Sequence, residues 1–331
     1  MNALRALRRR IMTPNRSATS LVVRGFHVKS PEARALLETI GGTFLDGYGF
    51  AAQARTPDGA EAPLEGVPLR FRGFAYEGAA MAFAVRDGMR PGGGRNVERF
   101  LAGAGADHIY MAYVGVGWAM ARLPRIRWST LHSPDPVLRW LVLDGYGFHQ
   151  AYFRTERYVF DRYEDKSLPW RGVTAADYAS RATDQGIGRA LWFVGGTDVE
   201  VVAHLVERYP PSRRADLYSG VGLAATYAGG ATEAELTALW DHAKEYRPQL
   251  AQGSAFGAGA RAKANLVCPH NELATQIFCG QPVALARKVT DEALVDLPAD
   301  GPVPAYEVWR QRISEALAQS GHFARTATEQ K

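Results

Sequence analysis

The sequence predicts an all-α protein, built as about seven helical hairpins and either stacked as an α-solenoid or closed into an α/α toroid. Three observations predict it. A short word, small-x-small followed by apolar and small residues, recurs along the 331-residue chain with its first small residue at Gly47, Gly78, Gly115, Gly145, Gly186, Gly220 and Gly253. The successive separations are 31, 37, 30, 41, 34 and 33 residues, and a period in this range is one helical hairpin per repeat. Finally, residues 184–209 and 218–246 share one order of signals: a small-residue helix, a Gly-Gly stop, a Thr start and an amphipathic helix.

The elements follow in order. Residues 1–20 carry the one dense basic run, MNALRALRRRIMTPNR, and read as a flexible arm. Residues 21–300 read as one repeat-built domain, opening with DGYGFAA at 46–52. Residues 55–75 are rich in Pro and Gly and predict a long excursion before EGAAMAF at 77–83. PGGGR at 91–95 reads as a loop between helices. In VGVGWAM (114–120) the alternation of Val, Gly and Trp competes as a strand, but the helix-length pattern behind the repeated word favours a helix.

DGYGFHQ (144–150) is the fourth copy. In the next two, Gly195-Gly196 and Gly229-Gly230 suit helix C-caps, where positive φ is needed. Thr232 followed by Glu235 is a capping box. Val201, Leu205 and Val206, then Leu236, Leu239 and Trp240, recur at helical spacing. Pro210-Pro211 and Pro248 end their units. QGSAFGA (252–258) is the last copy, and residues 301–331 read as a C-terminal helix and tail.

Composition excludes several function classes. The chain is 47% hydrophobic and 22% charged, the balance of a globular protein. Its net charge of +5 is not organised into a nucleic-acid motif, and the basic run has no interleaved aromatics. No apolar h-region follows the early arginines and no apolar stretch is long enough to span a bilayer. The expectation is a cytoplasmic protein, touching membrane through its basic N-terminus if at all. Cys268 and Cys279, with His270, lie in CPHNELATQIFC, which fits no zinc spacing. They read as reduced, buried thiols, and no metal is expected. There is no GxSxG, no Walker loop, and no third glycine to make the Gly-x-Gly words a dinucleotide fingerprint. No cofactor is implied.

Candidate site residues come from aligning the words. With the first small residue as position zero, positions zero and two are Gly or Ala in all seven copies, which lets neighbouring backbones approach closely. Position three is Phe50, Met81, Trp118, Phe148, Arg189, Leu223 and Phe256. Arg189 is the one polar member, and a buried guanidinium there needs a partner. Position four is small in every copy except His149, which points that imidazole toward a cavity. Position minus one, a helical turn before position three, holds Asp46, Glu77, Val114, Asp144, Gln185, Ser219 and Gln252. It reads either as a row of N-caps, which suits the Asp and Ser copies, or as part of an inner wall. On the second reading Glu77, Asp144, His149 and Arg189 are the candidate catalytic residues, and Phe50, Met81, Trp118, Phe148, Gln185, Leu223, Gln252 and Phe256 line the substrate. A carboxylate held among aromatics has a raised pKa suited to acid–base work.

At FRGFAYEGAAM (71–81), YMAYVGVGWAMARLP (110–124), LRWLVLDGYGFHQAYF (138–153), DQGIGRALWFVGG (184–196) and GVGLAATYAGG (220–230), the chain resembles an uncharacterised family. Its members are encoded in bacterial biosynthetic clusters for enediyne antitumour antibiotics. The resemblance runs from about residue 13 to about 295. It implies a context and no catalytic residues: a polyketide synthase makes a linear conjugated polyene, and accessory proteins help turn it into the enediyne core.

Together with the aromatic wall, it leads to the expectation of an accessory enzyme acting on that polyene or an early core intermediate, by isomerisation, cyclisation or oxidation. The alternative is a non-catalytic protein that carries or shields a hydrophobic intermediate, scaffolds pathway proteins, or sequesters product for self-resistance.

Overall fold

A computed structural model of the protein describes residues 2–166, 168–170 and 176–319, and among them there is no strand. The basic segment forms helix α1 (Asn2–Met12), and a short turn α2 (Leu21–Arg24) follows. The long helices are α3 (Pro31–Gln53), α5 (Leu69–Met89), α7 (Ile109–Arg122), α8 (Trp140–Phe153), α9 (Ala176–Val194), α11 (Pro211–Ala228) and α13 (Arg247–Lys263). Each carries one small-x-small word and packs against the next in chain order. Shorter helices connect them: α4 (Glu61–Glu65), α6 (Asn96–Leu101), α10 (Val199–Glu207), α12 (Glu233–Ala243) and α14 (Pro269–Phe278). After α7 and α8 the return arm shrinks to single turns, Arg125–Thr130 and Glu156–Phe160. The chain ends in α15 (Val283–Ala293) and α16 (Ala305–Gln319).

The caps fall where the sequence places them. Gly196 and Gly229 have φ of 59° and 73°, and Thr232 and Glu235 form the reciprocal capping box. Pro211 and Pro248 do not end units; they start α11 and α13, where a missing N–H costs nothing. The excursion is shorter than the Pro/Gly content suggests, because α5 begins at Leu69.

The glycines set the helix spacing, and they do so in two alternating rows. A Cβ at position zero would strike the preceding helix: at Gly186 it would stand 1.8 Å from the Asp144 carbonyl oxygen, and at Gly220 2.0 Å from that of Gln185. A Cβ at position two would strike the following helix: at Gly188 it would stand 2.1 Å from the Leu217 oxygen, and at Gly222 2.1 Å from that of Leu250. The inner long helices α5 to α11 are thus clamped backbone-to-backbone on both sides.

The first copy breaks the alignment. Gly47 meets the carbonyl of Ala75 in the following helix, and Gly78 in turn meets that of Phe44. Gly47 therefore holds position two, and LDGYGFA at 45 is displaced by two residues from LDGYGFH at 143. Phe44, not Asp46, is the counterpart of Glu77 and Asp144.

The arc closes on itself. The His27 N–H donates to the Val194 carbonyl at 2.9 Å, and Lys29 Nζ reaches the Gly230 carbonyl and Glu235 at 2.9 and 2.8 Å. Phe74 of α5 meets Tyr227 of α11 edge-on at 5.1 Å, and Arg261 of α13 donates to the Arg70 carbonyl at 2.9 Å. The long helices thus surround a lumen.

Both ends differ from expectation. The N-terminal segment is not a free arm: Arg8 donates to the carbonyls of Ala52 and Ala54, holding α1 on the C-terminal end of α3. Leu4, Leu7 and Ile11 on α1 stay exposed. At the other end, α16 is no appendage. Arg310, 4% exposed, donates to Asp216 and Glu307 at 2.8 and 2.6 Å, and Arg181 reaches the same two carboxylates. This network ties α16 to α9 and α11. Residues 320–331 of the expected tail lie outside the described residues.

Candidate active site in the lumen

Two cavities lie inside the ring and share Arg189, Leu223 and Tyr227 as a common wall. The first encloses about 60 Å³ and is lined by Phe44, Phe74, Glu77, Met81, Trp118, Phe148, His149, Tyr152, Phe193 and the shared residues. It reaches the surface beside Pro14, Ala18, Arg122 and Phe153. The second encloses about 90 Å³ between Val114, Leu141, Phe256 and Trp309, with Lys263 and Arg287 near the opposite surface. The aromatic wall of the first is continuous. Ring centroids run from Phe44 to Trp118 at 4.6 Å, on to Phe148 at 5.0 Å and to Phe193 at 5.3 Å.

Three of the four expected catalytic residues meet here. Arg189 Nη1 donates to Asp144 Oδ1 from the neighbouring helix, and both side chains are buried. Asp144 directly precedes Gly145 and Arg189 follows Gly186 by about one turn; Gly186 sits against the Asp144 carbonyl, so the close approach of α8 and α9 brings the pair together. Glu77, 3% exposed, enters from α5. Burial pushes its carboxyl up to about 7; Arg189 pulls it down, Asp144 pushes it up, and the Trp118 indole N–H pulls it down slightly. That N–H is near Glu77 without a well-formed hydrogen bond, so its effect is the smallest. Burial also raises Asp144 above the usual carboxylate range, against the opposing pull of Arg189. Burial disfavours the Arg189 charge, but Asp144 and Glu77 together hold its pKa above the ordinary value.

The lumen therefore holds one salt bridge plus one further carboxyl that is near half-protonated at neutral pH. A second buried carboxylate beside a single guanidinium cannot ionise cheaply. Glu77 can both give and take a proton.

His149 stands apart from this trio. Its ring packs edge-on to Trp118 at 5.5 Å and against Phe153 at 4.7 Å, toward the mouth. Neither ring nitrogen has a partner, and burial, with Arg122, Arg154 and Arg24 nearby, lowers its pKa to about 3. It is neutral at physiological pH and does not pair with Asp144.

Among the expected lining residues, Met81, Trp118, Phe148 and Leu223 line the first cavity and Phe256 the second. Three are placed elsewhere. Phe50 lies under Arg9 of α1, as the two-residue displacement of its copy requires. Gln185 donates to Asp216 at 3.0 Å and accepts from Tyr306; Gln252 accepts from Ser219 and Arg310. Both belong to the α16 network, because Tyr306 and Arg310 of α16 reach these two side chains. No member of the position-minus-one row acts as an N-cap, since Asp46, Glu77, Val114, Asp144, Gln185, Ser219 and Gln252 all lie inside their helices.

Several lining residues were not expected. Tyr152, Phe193 and Tyr227 occupy position seven, one turn beyond position three, and that i+4 step was present in the sequence. Phe74 has no such signal. Cys268 and Cys279 are free thiols, and no group of His, Cys, Asp and Glu suited to a metal occurs among the described residues.

A family model described as "Protein of unknown function (DUF1702)" matches residues 3–317. The chain belongs to the DUF1702 family. That span takes in nearly all of α1, every long helix and nearly all of α16, so the residues that build the lumen all lie within it. Comparison with curated proteins and with solved structures gives no match. No helix among the described residues of this DUF1702 chain is long and apolar enough to cross a membrane.

Proposed function

We propose that the protein is an accessory enzyme of enediyne biosynthesis that moves a proton on a linear conjugated polyene, or on an early core intermediate, bound in the lumen. One observation carries the proton-transfer part: Glu77, a buried carboxyl raised to about 7, faces an aromatic cavity and lies beside the Asp144–Arg189 pair. A carboxyl of this kind suits isomerisation or cyclisation. Protonated Glu77 adds its proton to one carbon of the conjugated chain, and the carboxylate so formed takes a proton from another, leaving the atom count unchanged. Arg189 stabilises the carboxylate between the two transfers. Trp118, Phe148 and Tyr227 supply apolar and aromatic surface for a flat, extended chain. The pathway context comes from the sequence resemblance. An oxidation step, or scaffolding of other pathway proteins, draws no specific support from this geometry.

The test uses purified protein with the polyene in excess. The reading expects catalytic formation of an isomer of unchanged mass and shifted absorbance, lost in Glu77→Gln while ligand binding persists. A stoichiometric complex with unaltered ligand supports the carrier or sequestration reading instead. Contact with a membrane, within this proposal, rests on α1, where exposed Leu4, Leu7 and Ile11 flank Arg5 and Arg10.

A further inference from the structure

The mouth of the first cavity carries a cluster that the proton-transfer reading does not use. Arg122 lines the opening and makes no ion pair or hydrogen bond among the described residues. Arg24 lies over the Phe153 ring at 5.0 Å. Its Nη2 donates to the Tyr152 carbonyl at 2.7 Å, while its Nε is buried without a partner. Arg154 follows Phe153 directly. All three guanidiniums act on His149, and no carboxylate counters them there. Glu38 acts on Tyr152 from the same side, but it already accepts from Ser20, Leu21 and Arg34. His149 itself is 5% exposed, faces the cavity and has two unpartnered nitrogens. Buried polar atoms without partners are rare in native proteins, and each asks for a ligand, a water or a role.

We propose that Arg122, Arg24 and His149 form a receptor for the carboxylate end of the ligand, so that the lumen takes a linear apolar acid, head at the mouth and chain running toward Glu77. Guanidinium–carboxylate hydrogen bonds are the strong, directional kind, and the neutral imidazole donates one N–H to the same group. The apolar wall beyond accepts the chain, and Glu77 with Arg189 lies deeper, where the chain would be acted on. The inference rests on the lumen being the ligand site, and it narrows the substrate class from any polyene to one that ends in an anion.

The test is a fluorescence titration with cis-parinaric acid, a linear conjugated acid, against its methyl ester, with sorbic acid and its ester as a shorter pair read by competition. The wild-type protein is expected to bind each acid about tenfold or more tightly than its ester. Arg122→Gln is expected to cut the acid's advantage over the ester severalfold, chiefly by weakening acid binding. Arg122 is exposed, so this variant keeps its fold, which a melting curve checks. His149→Phe is expected to lower acid affinity in the same direction. Equal binding of acid and ester by the wild type overturns the head-group site but leaves the apolar lumen standing. An acid preference undiminished in both Arg122→Gln and His149→Phe also overturns it. Binding of neither probe overturns this inference together with the lumen as the ligand site, whereas loss of turnover chemistry alone leaves the head-group site intact.

Discussion

Replacing Gly186 with alanine should destabilise the protein, even though alanine is the better helix former. The added Cβ would lie 1.8 Å from the Asp144 carbonyl oxygen, where ordinary contact begins at 3.4 Å. That oxygen is backbone inside α8 and cannot rotate away, so α8 and α9 must part by more than an ångström locally. Radial gaps of even 0.5–1 Å forfeit a quarter to a half of a dispersion contact, and overpacking commonly costs about 1–3 kcal/mol, occasionally more. Against this, alanine regains about 1 kcal/mol of helix propensity. The net expectation is a loss of about 2 kcal/mol, or roughly 4 °C in Tm. Gly42→Ala is the control. It sits in mid-helix like Gly186, but the nearest atom to its Cβ is the end of the Arg16 side chain at 3.9 Å. It should be neutral or stabilising by up to about 1 kcal/mol. Urea titration and thermal melts of the two variants decide the matter. If Gly186→Ala is as stable as Gly42→Ala, the backbone clamp is not what spaces these helices.

Other expectations follow from the buried charges. Glu77→Gln should raise stability at pH 8, because the raised folded pKa means ionisation opposes folding. The gain should be absent at pH 4, grow as pH rises from the ordinary carboxylate range through about 7, and be complete above it. Acid-dependent turnover in the wild type should instead fall with a midpoint near pH 7, where folded Glu77 loses its proton. Arg310→Leu should cost on the order of 3 kcal/mol in chemical denaturation, since it leaves the buried Asp216 and Glu307 to share the single, partly exposed Arg181. His149 should show no titration in an NMR series from pH 5 to 8, because its folded pKa is near 3; a midpoint near 6.5 would place the ring in water. Vesicles rich in anionic lipid should co-sediment the protein through α1, and Leu7→Asp with Ile11→Asp should abolish it without changing the melt.

The sequence by itself determined that this chain is helical and repeated. Glycine at positions zero and two, large apolar residues at position three and cap signals at Gly196, Gly229 and Thr232 are local rules, and local rules survive without a structure. It also singled out His149 in LVLDGYGFHQAYF and Arg189 in DQGIGRALWFV, because each breaks a seven-copy pattern. Tertiary structure decided what those outliers face. His149 has no ion partner and stands behind Trp118, while Arg189 reaches Asp144 on the neighbouring helix, which no spacing within one helix encodes. It also decided that the first LDGYGFA is displaced by two residues. Asp46 then points outward to Arg16 and Phe44 inward, although the words at 45 and 143 are nearly the same. Register between helices is set by which glycine meets which carbonyl, and both glycines of a Gly-x-Gly word can meet one. Gln185 and Gln252 went the same way: α16, distant in sequence, covers that face and converts it from cavity wall to ion network. The physical reason is common to all of these. Periodicity specifies the face a residue occupies on its own helix, and only packing specifies what that face meets.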